Sequence, residues 1–189
     1  MSLGDAAGLV VLAFVVAALG SIVWSTLRLG ISPMPTSSAV RRVVLDMLPH
    51  AVAGDVHELG AGWGGLALAL ADRYPTARVV AWEASWAPFL VLKLRLALSP
   101  RRNLVALRRD FFGAADLSGA GLVVCYLWTG AMTRLAEKFT AELKPGALVV
   151  SHTFALRGWE AEETRHAADV YRTPVYRYRV GPGASGRRP

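Results

Sequence analysis

At 189 residues the chain has room for one domain of ordinary size and not for two large ones. Its 53% hydrophobic and 19% charged residues exclude a disordered chain, and a single cysteine, Cys125, excludes a disulfide scaffold. The 21 Lys+Arg against 14 Asp+Glu leave a formal charge of +7 and a sequence pI near 10.2, so nucleic acid and anionic membranes both come into view as partners. The chain has no zinc-finger spacing, no RNA-binding aromatic signature and no dense basic helix, so no nucleic-acid partner is expected.

The mean hydropathy of +0.36 is high for a soluble enzyme, and the excess sits at the front. From Ala6 to Leu27 run 22 residues without a charge. As a helix they would span roughly 33 Å, enough to cross a hydrocarbon core of ~30 Å. A cleaved signal peptide would want a basic start and a shorter apolar run; here the only charged side chain ahead of the run is Asp5. The expectation is therefore one transmembrane anchor. Arg28, Arg41 and Arg42 follow it, which puts the rest of the chain on the cytoplasmic side, in a bacterial inner membrane.

Behind the anchor, RLGISPMPT (28–36) is a proline-containing linker, and Ser37 reads as the N-cap of an amphipathic helix ended by Pro49. Short apolar strands then alternate with helical stretches. Strands are expected at Asp55–Leu59, Arg78–Glu83, Asn103–Leu107, Leu122–Leu127 and Ala147–His152, with helices at Gly64–Arg73, from Pro88 to before Pro100, and at Met132–Leu143. This is the pattern of an α/β fold, a parallel sheet with helices on both faces. Val170–Val180 alternates apolar and basic residues like an antiparallel strand near an edge, and its Pro174 suits an edge or a bulge. The organisation expected is an anchor over 1–29, a linker and pre-domain helix over 30–49, the folded domain over 50–180 and a flexible tail over 181–189.

The first strand-to-helix turn carries VHELGAGWGG, in which Gly60, Gly62 and Gly64 form G-x-G-x-G. Glycines there let the backbone turn tightly and approach a ligand beside a helix N-terminus. Glu58, two residues before the first glycine, is where a fold built for a nicotinamide dinucleotide normally has an apolar side chain. A carboxylate pointing into the core needs a partner, such as the cationic amino group and sulfonium of S-adenosylmethionine. Glu83 ends the second strand, where an acidic side chain accepts from both ribose hydroxyls. Asp110, after the third strand in RRDFF, is placed to accept from an adenine amino group, with Phe111 available to stack on the ring. Alone, Glu83 or Asp110 reads as a cap or a solvated loop residue; together, after three successive strands, the three carboxylates point to a bound adenosine. About 150 folded residues also leave no room for the substrate domain of a nicotinamide-dependent dehydrogenase.

The motifs PMPTS, ELGAGWG, AWEAS, RRDFF and VVCYLWTGAMTRLAEKFTAELKPGALVVSHTF, running from about Pro33 to Trp159, resemble those of class I, seven-strand S-adenosylmethionine-dependent methyltransferases. More narrowly they resemble the membrane-anchored lysine N-methyltransferases of mitochondrial ATP synthase subunit c and of the adenine nucleotide translocase, and their bacterial relatives. The resemblance implies a Rossmann-like sheet, an anchor ahead of PMPTS, and S-adenosyl-L-methionine as cofactor. It places Glu58, Gly60, Gly62, Glu83 and Asp110 on cofactor positions and Thr36 in a pre-domain motif that closes over the cofactor.

Methyl transfer from a sulfonium is one in-line displacement, so positioning and desolvation supply most of the catalysis, and no catalytic base is nominated. Tyr126, Trp128 and Thr129 lie at the C-terminal edge of the fourth strand, where the methyl acceptor should approach, and Trp128 could form an aromatic wall for an alkylammonium. His57, His152 and His166 are not spaced like metal ligands, so no metal is expected. The expected acceptor is a lysine of a membrane protein. The alternatives are a phospholipid headgroup amine such as phosphatidylethanolamine, or a non-catalytic cofactor-binding module.

Overall fold

The computed structural model describes residues 35–181 and, ahead of them, helical positions 4, 5, 7–9, 11–13, 15, 16, 20 and 23. Most of the expected span Ala6–Leu27 and the tail from 182 onward lie outside the described residues. Among the described residues no helix is long and apolar enough to cross a membrane.

The domain begins with α1 (Ser38–Asp46), and the Ser37 hydroxyl accepts from the Val40 amide at 3.2 Å as the expected N-cap. There follow β1 (Asp55–Leu59), α2 (Gly65–Arg73), β2 (Val79–Trp82), α3 (Trp86–Leu98), β3 (Leu104–Leu107), α4 (Phe111–Ala114), β4 (Ala120–Cys125), α5 (Thr129–Glu142), β5 (Leu148–His152), β6 (Glu163–His166) and β7 (Pro174–Arg179). The seven strands form one sheet in the order β3-β2-β1-β4-β5-β7-β6. β1 to β5 run parallel, and β7 pairs antiparallel with both β5 and β6. The chain reverses direction across the sheet between β1 and β4. Ligands of open α/β sheets bind at such a switch point, beyond the carboxyl ends of the strands.

Two apolar layers cover the two faces of the sheet. On one, Val44 of α1, Leu70 of α2 and Leu92 of α3 pack with Val56, Val79, Val124 and Val150. On the other, Leu135 and Phe139 of α5 pack with Leu59, Val80, Val123, Val149 and Tyr178. The central strands are buried on both faces, which is why their sequences are continuous apolar runs. His57, buried on β1, accepts at Nδ1 from the Trp82 indole N–H at 3.1 Å, so it is a core histidine with a partner.

Three expectations are corrected, and two elements were not anticipated. The fourth strand starts two residues earlier and ends at Cys125, where its pairing with Ser151 of β5 ends. That frees Tyr126, Leu127 and Trp128 as a strand-to-helix connection, and α5 begins at Thr129. Pro174 opens a strand flanked on both sides, so it stands neither on an edge nor in a bulge. As a first residue it contributes only its carbonyl, which accepts from the Thr153 amide at 2.8 Å. The edge strand β6 and the single turn α4 have no counterpart in the sequence reading. β6 is polar throughout and is held by β7 pairing and the Arg177–Glu163 ion pair at 2.9 Å.

The glycine loop is packed directly on α3. Gly64 has φ +80°, and a Cβ built on it would lie 2.4 Å from Leu92 Cδ1. Gly64→Ala therefore strains the backbone and pushes α3 outward, and a loss of about 1–3 kcal/mol is expected in urea unfolding.

Candidate active site

The loop after β1 is bound to the ends of its neighbours. The amides of Gly60 and Ala61 both donate to the Trp82 carbonyl, at 2.9 and 2.8 Å. The Gly62 amide then donates to Glu83 Oε2 at 2.7 Å, and the Ser85 amide to Glu83 Oε1, also at 2.7 Å. One carboxylate thus ties the glycine loop to the start of α3. Each oxygen keeps a second lone-pair direction for the hydroxyls expected of a ribose.

Glu58 points from β1 into a cavity of about 180 Å³, room for on the order of ten water-sized groups. It is 5% exposed, and its Oε2 is the buried side-chain polar atom without a partner among the described residues. Burial first, and the negative Glu83 second, hold its pKa well above the ordinary carboxyl value. Two cations line the same cavity. A Cβ built on Gly65 would lie 3.6 Å from Arg41 Nη1 and 3.8 Å from Arg95 Nη1, so both guanidinia flank the N-terminus of α2. Neither makes an ion pair among the described residues. The cavity is therefore bipolar: a carboxyl wanting a cation, and two guanidinia with a helix N-terminus wanting an anion.

Thr36 and Tyr126 line the same cavity. His152, at the end of β5, holds them together. Its ring stacks on Tyr126 at 4.3 Å between centroids, and its Nε2 lies 3.3 Å from Thr36 Oγ1. Burial lowers its pKa to about 4, so the ring is neutral. Cys125 also lines the cavity, with its thiol pushed up to about 12 by burial.

Residues 58–163 match the model of the family described as the ANTKMT methyltransferase domain. The chain belongs to this family. It is a class I S-adenosylmethionine-dependent methyltransferase. A "Protein-lysine N-methyltransferase" of Saccharolobus islandicus (strain REY15A) is 28% identical over 149 residues, covering 78% of this chain and 92% of that protein. An RNA methyltransferase from Salinibacter ruber, solved with S-adenosyl-L-homocysteine, superposes with a TM-score of 0.70 at 24% identity, covering 82% of this chain and 97% of that one. Aeropyrum pernix fibrillarin with natively bound S-adenosyl-L-methionine gives a TM-score of 0.57 at 14% identity, over 69% of this chain and 68% of that one. These two likenesses concern the fold.

The residues of the methyltransferase fit its cofactor. The unpartnered Glu58 Oε2 can accept from the cofactor's amino group, and the guanidinia of Arg41 and Arg95 can take its carboxylate. A side chain at Gly62, φ +53°, would project into open space where a ligand can approach the backbone. The sequence reading had Glu58, Gly60, Gly62, Gly64, Glu83 and Thr36 in this neighbourhood. It missed Arg41, Arg95 and His152, which come from three distant segments and carry no local signal.

The remaining candidates stand apart from the cavity lining. Asp110 caps α4, its Oδ1 accepting from the Phe112 amide at 3.0 Å. Phe111 is turned into the core at 7% exposed instead of standing free to stack on a base. The half-buried ring beside it is Phe112, with the Arg134 guanidinium 3.8 Å above it. Trp128 is exposed and folded over Gly130 at the start of α5, and Thr129 is exposed next to it.

Two outcomes are expected. Glu58→Gln raises the urea midpoint of the ligand-free methyltransferase, by a margin that grows as pH rises above 4.5. A raised carboxyl pKa means stability present below the ordinary value and lost as pH climbs toward the shifted one. Arg41→Gln and Arg95→Gln each weaken S-adenosylhomocysteine in calorimetric titration by roughly ten- to a hundredfold, the range of a charge-assisted hydrogen bond. Both leave 5′-methylthioadenosine, which lacks the amino-acid end, unchanged.

Proposed function

We propose that the methyltransferase methylates a lysine ε-amine of a membrane protein. In this reading the apolar run Ala6–Leu27 anchors the chain, and the positive-inside rule sets the domain on the cytoplasmic side of a bacterial inner membrane. The observation that carries the acceptor class is the wall of Tyr126 stacked on a neutral, buried His152 at the carboxyl end of the sheet. The Saccharolobus relative, a protein-lysine N-methyltransferase, supports the same class.

When bound, S-adenosylmethionine supplies an electrophilic methyl group on a sulfonium. The acceptor must present a lone pair, yet a free lysine amine is only about 0.1% neutral at physiological pH. Burial of the amine against the Tyr126–His152 pair, away from water, disfavours the ammonium. His152, with a pKa of about 4, is too weak a base to take the lysine proton, which leaves to water. His152 acts as a positioning residue: through Thr36 it fixes the segment ahead of α1 against the end of β5.

The test uses purified full-length protein, methyl-labelled S-adenosylmethionine and membranes from a strain lacking the gene. The expected outcome is acid-stable label on lysine in the protein pellet after solvent extraction. Label in the organic phase would overturn the acceptor and make this a lipid headgroup enzyme.

A further inference from the structure

Helix α3 is apolar on two opposite faces. Its inner face seats Pro88 and Leu92, the latter against Gly64. Its outer face carries Trp86, Leu90, Leu94 and Leu98, which are 55%, 55%, 58% and 77% exposed. Spaced by four residues, they align as one stripe along the helix. A surface helix ordinarily puts polar side chains there. No acidic residue lies in α3, and cations border the stripe. The Arg108 guanidinium sits 3.7 Å over the Trp86 ring, Lys93 is exposed beside Leu94, and Arg102 is exposed in the turn that follows.

The position of α3 matches the path of the chain. Leu27, the end of the apolar run, is eight residues from Pro35, a reach of at most about 29 Å. Pro35 and Thr36 line the same cavity as Arg95 of α3, so the tether enters the domain on the side that carries this helix. The described apolar positions of the run, among them Leu9, Leu12 and Val16, are themselves exposed and do not cover the stripe.

We infer that α3 is an interfacial helix that lies in the headgroup layer of an anionic bilayer. Trp86, Leu90, Leu94 and Leu98 enter the acyl boundary while Lys93, Arg102 and Arg108 meet lipid phosphates. The inference rests on the membrane reading proposed above. It makes the bilayer surface a second contact of the domain, independent of the anchor, and turns the cavity toward membrane-embedded acceptors.

The test places the full chain in vesicles of phosphatidylcholine with or without phosphatidylglycerol, with an environment-sensitive nitrobenzoxadiazole probe on Leu94→Cys or Leu90→Cys. Cys125 is buried and stays unlabelled. Ser118→Cys, exposed in the turn before β4 at the opposite end of the sheet, is the control. The expected result is blue-shifted emission and several-fold stronger quenching by brominated acyl chains at 90 and 94 than at 118, dependent on phosphatidylglycerol. Probes at 90 and 94 as wet as that at 118, in chains that float with the vesicles, would overturn the inference alone. Shielding that follows protein density without acyl quenching would assign the stripe to a second copy and overturn it too. Chains that fail to float would remove the membrane reading together with the inference.

Discussion

The site depends on one carboxylate being used twice. Glu83 accepts from the Gly62 amide with one oxygen and from the Ser85 amide with the other, both at 2.7 Å. This pair of short hydrogen bonds joins the loop after β1 to the helix after β2. The same helix carries Leu92, packed against Gly64, and Arg95, which lines the cavity. The junction also sets Glu83 beside Glu58, whose carboxyl pKa is held well above the ordinary value by burial first and by Glu83 second. The two carboxyl groups thus divide their roles by environment: Glu83 is held by two backbone amides, and Glu58 is buried with one oxygen unpartnered.

Much of the fold was legible because its signals are local. Near-continuous apolar runs in β2, β4 and β5, turns rich in glycine and proline, and the Ser37 cap each depend on a few adjacent residues. The glycine loop was legible for a second reason: Glu58 is a residue of the wrong polarity for its place on a central strand. Elements held only by their partners were not legible. β6 reads ETRH, with neither alternation nor apolar content, and exists because β7 presents an open edge and Arg177 meets Glu163.

The site itself was half legible. Residues on the β1 and β2 turns were found because the loop motif concentrates them. Arg41 and Arg95 sit on two helices whose faces converge at Gly65 only after both have packed on the sheet. Phe111 and Phe112 are adjacent and alike, and it is the packed layer, not the dipeptide, that buries Phe111 and leaves Phe112 half-buried. The extent of β4 matters in the same way. Its last pairing at Cys125 releases Tyr126 into the cavity but lets Trp128 fold back over its own helix.

The bipolar cavity has a consequence for turnover. Glu58, Arg41 and Arg95 would hold the cofactor's amino and carboxylate groups, which are the same before and after the methyl group leaves. Contacts of that kind bind donor and demethylated product alike, so they raise occupancy without lowering the barrier of the transfer itself. They also make the spent product a competitor for the same grip. Repeated cycles then depend on release of S-adenosylhomocysteine from this grip, and accumulated product would slow the enzyme with no change in its structure.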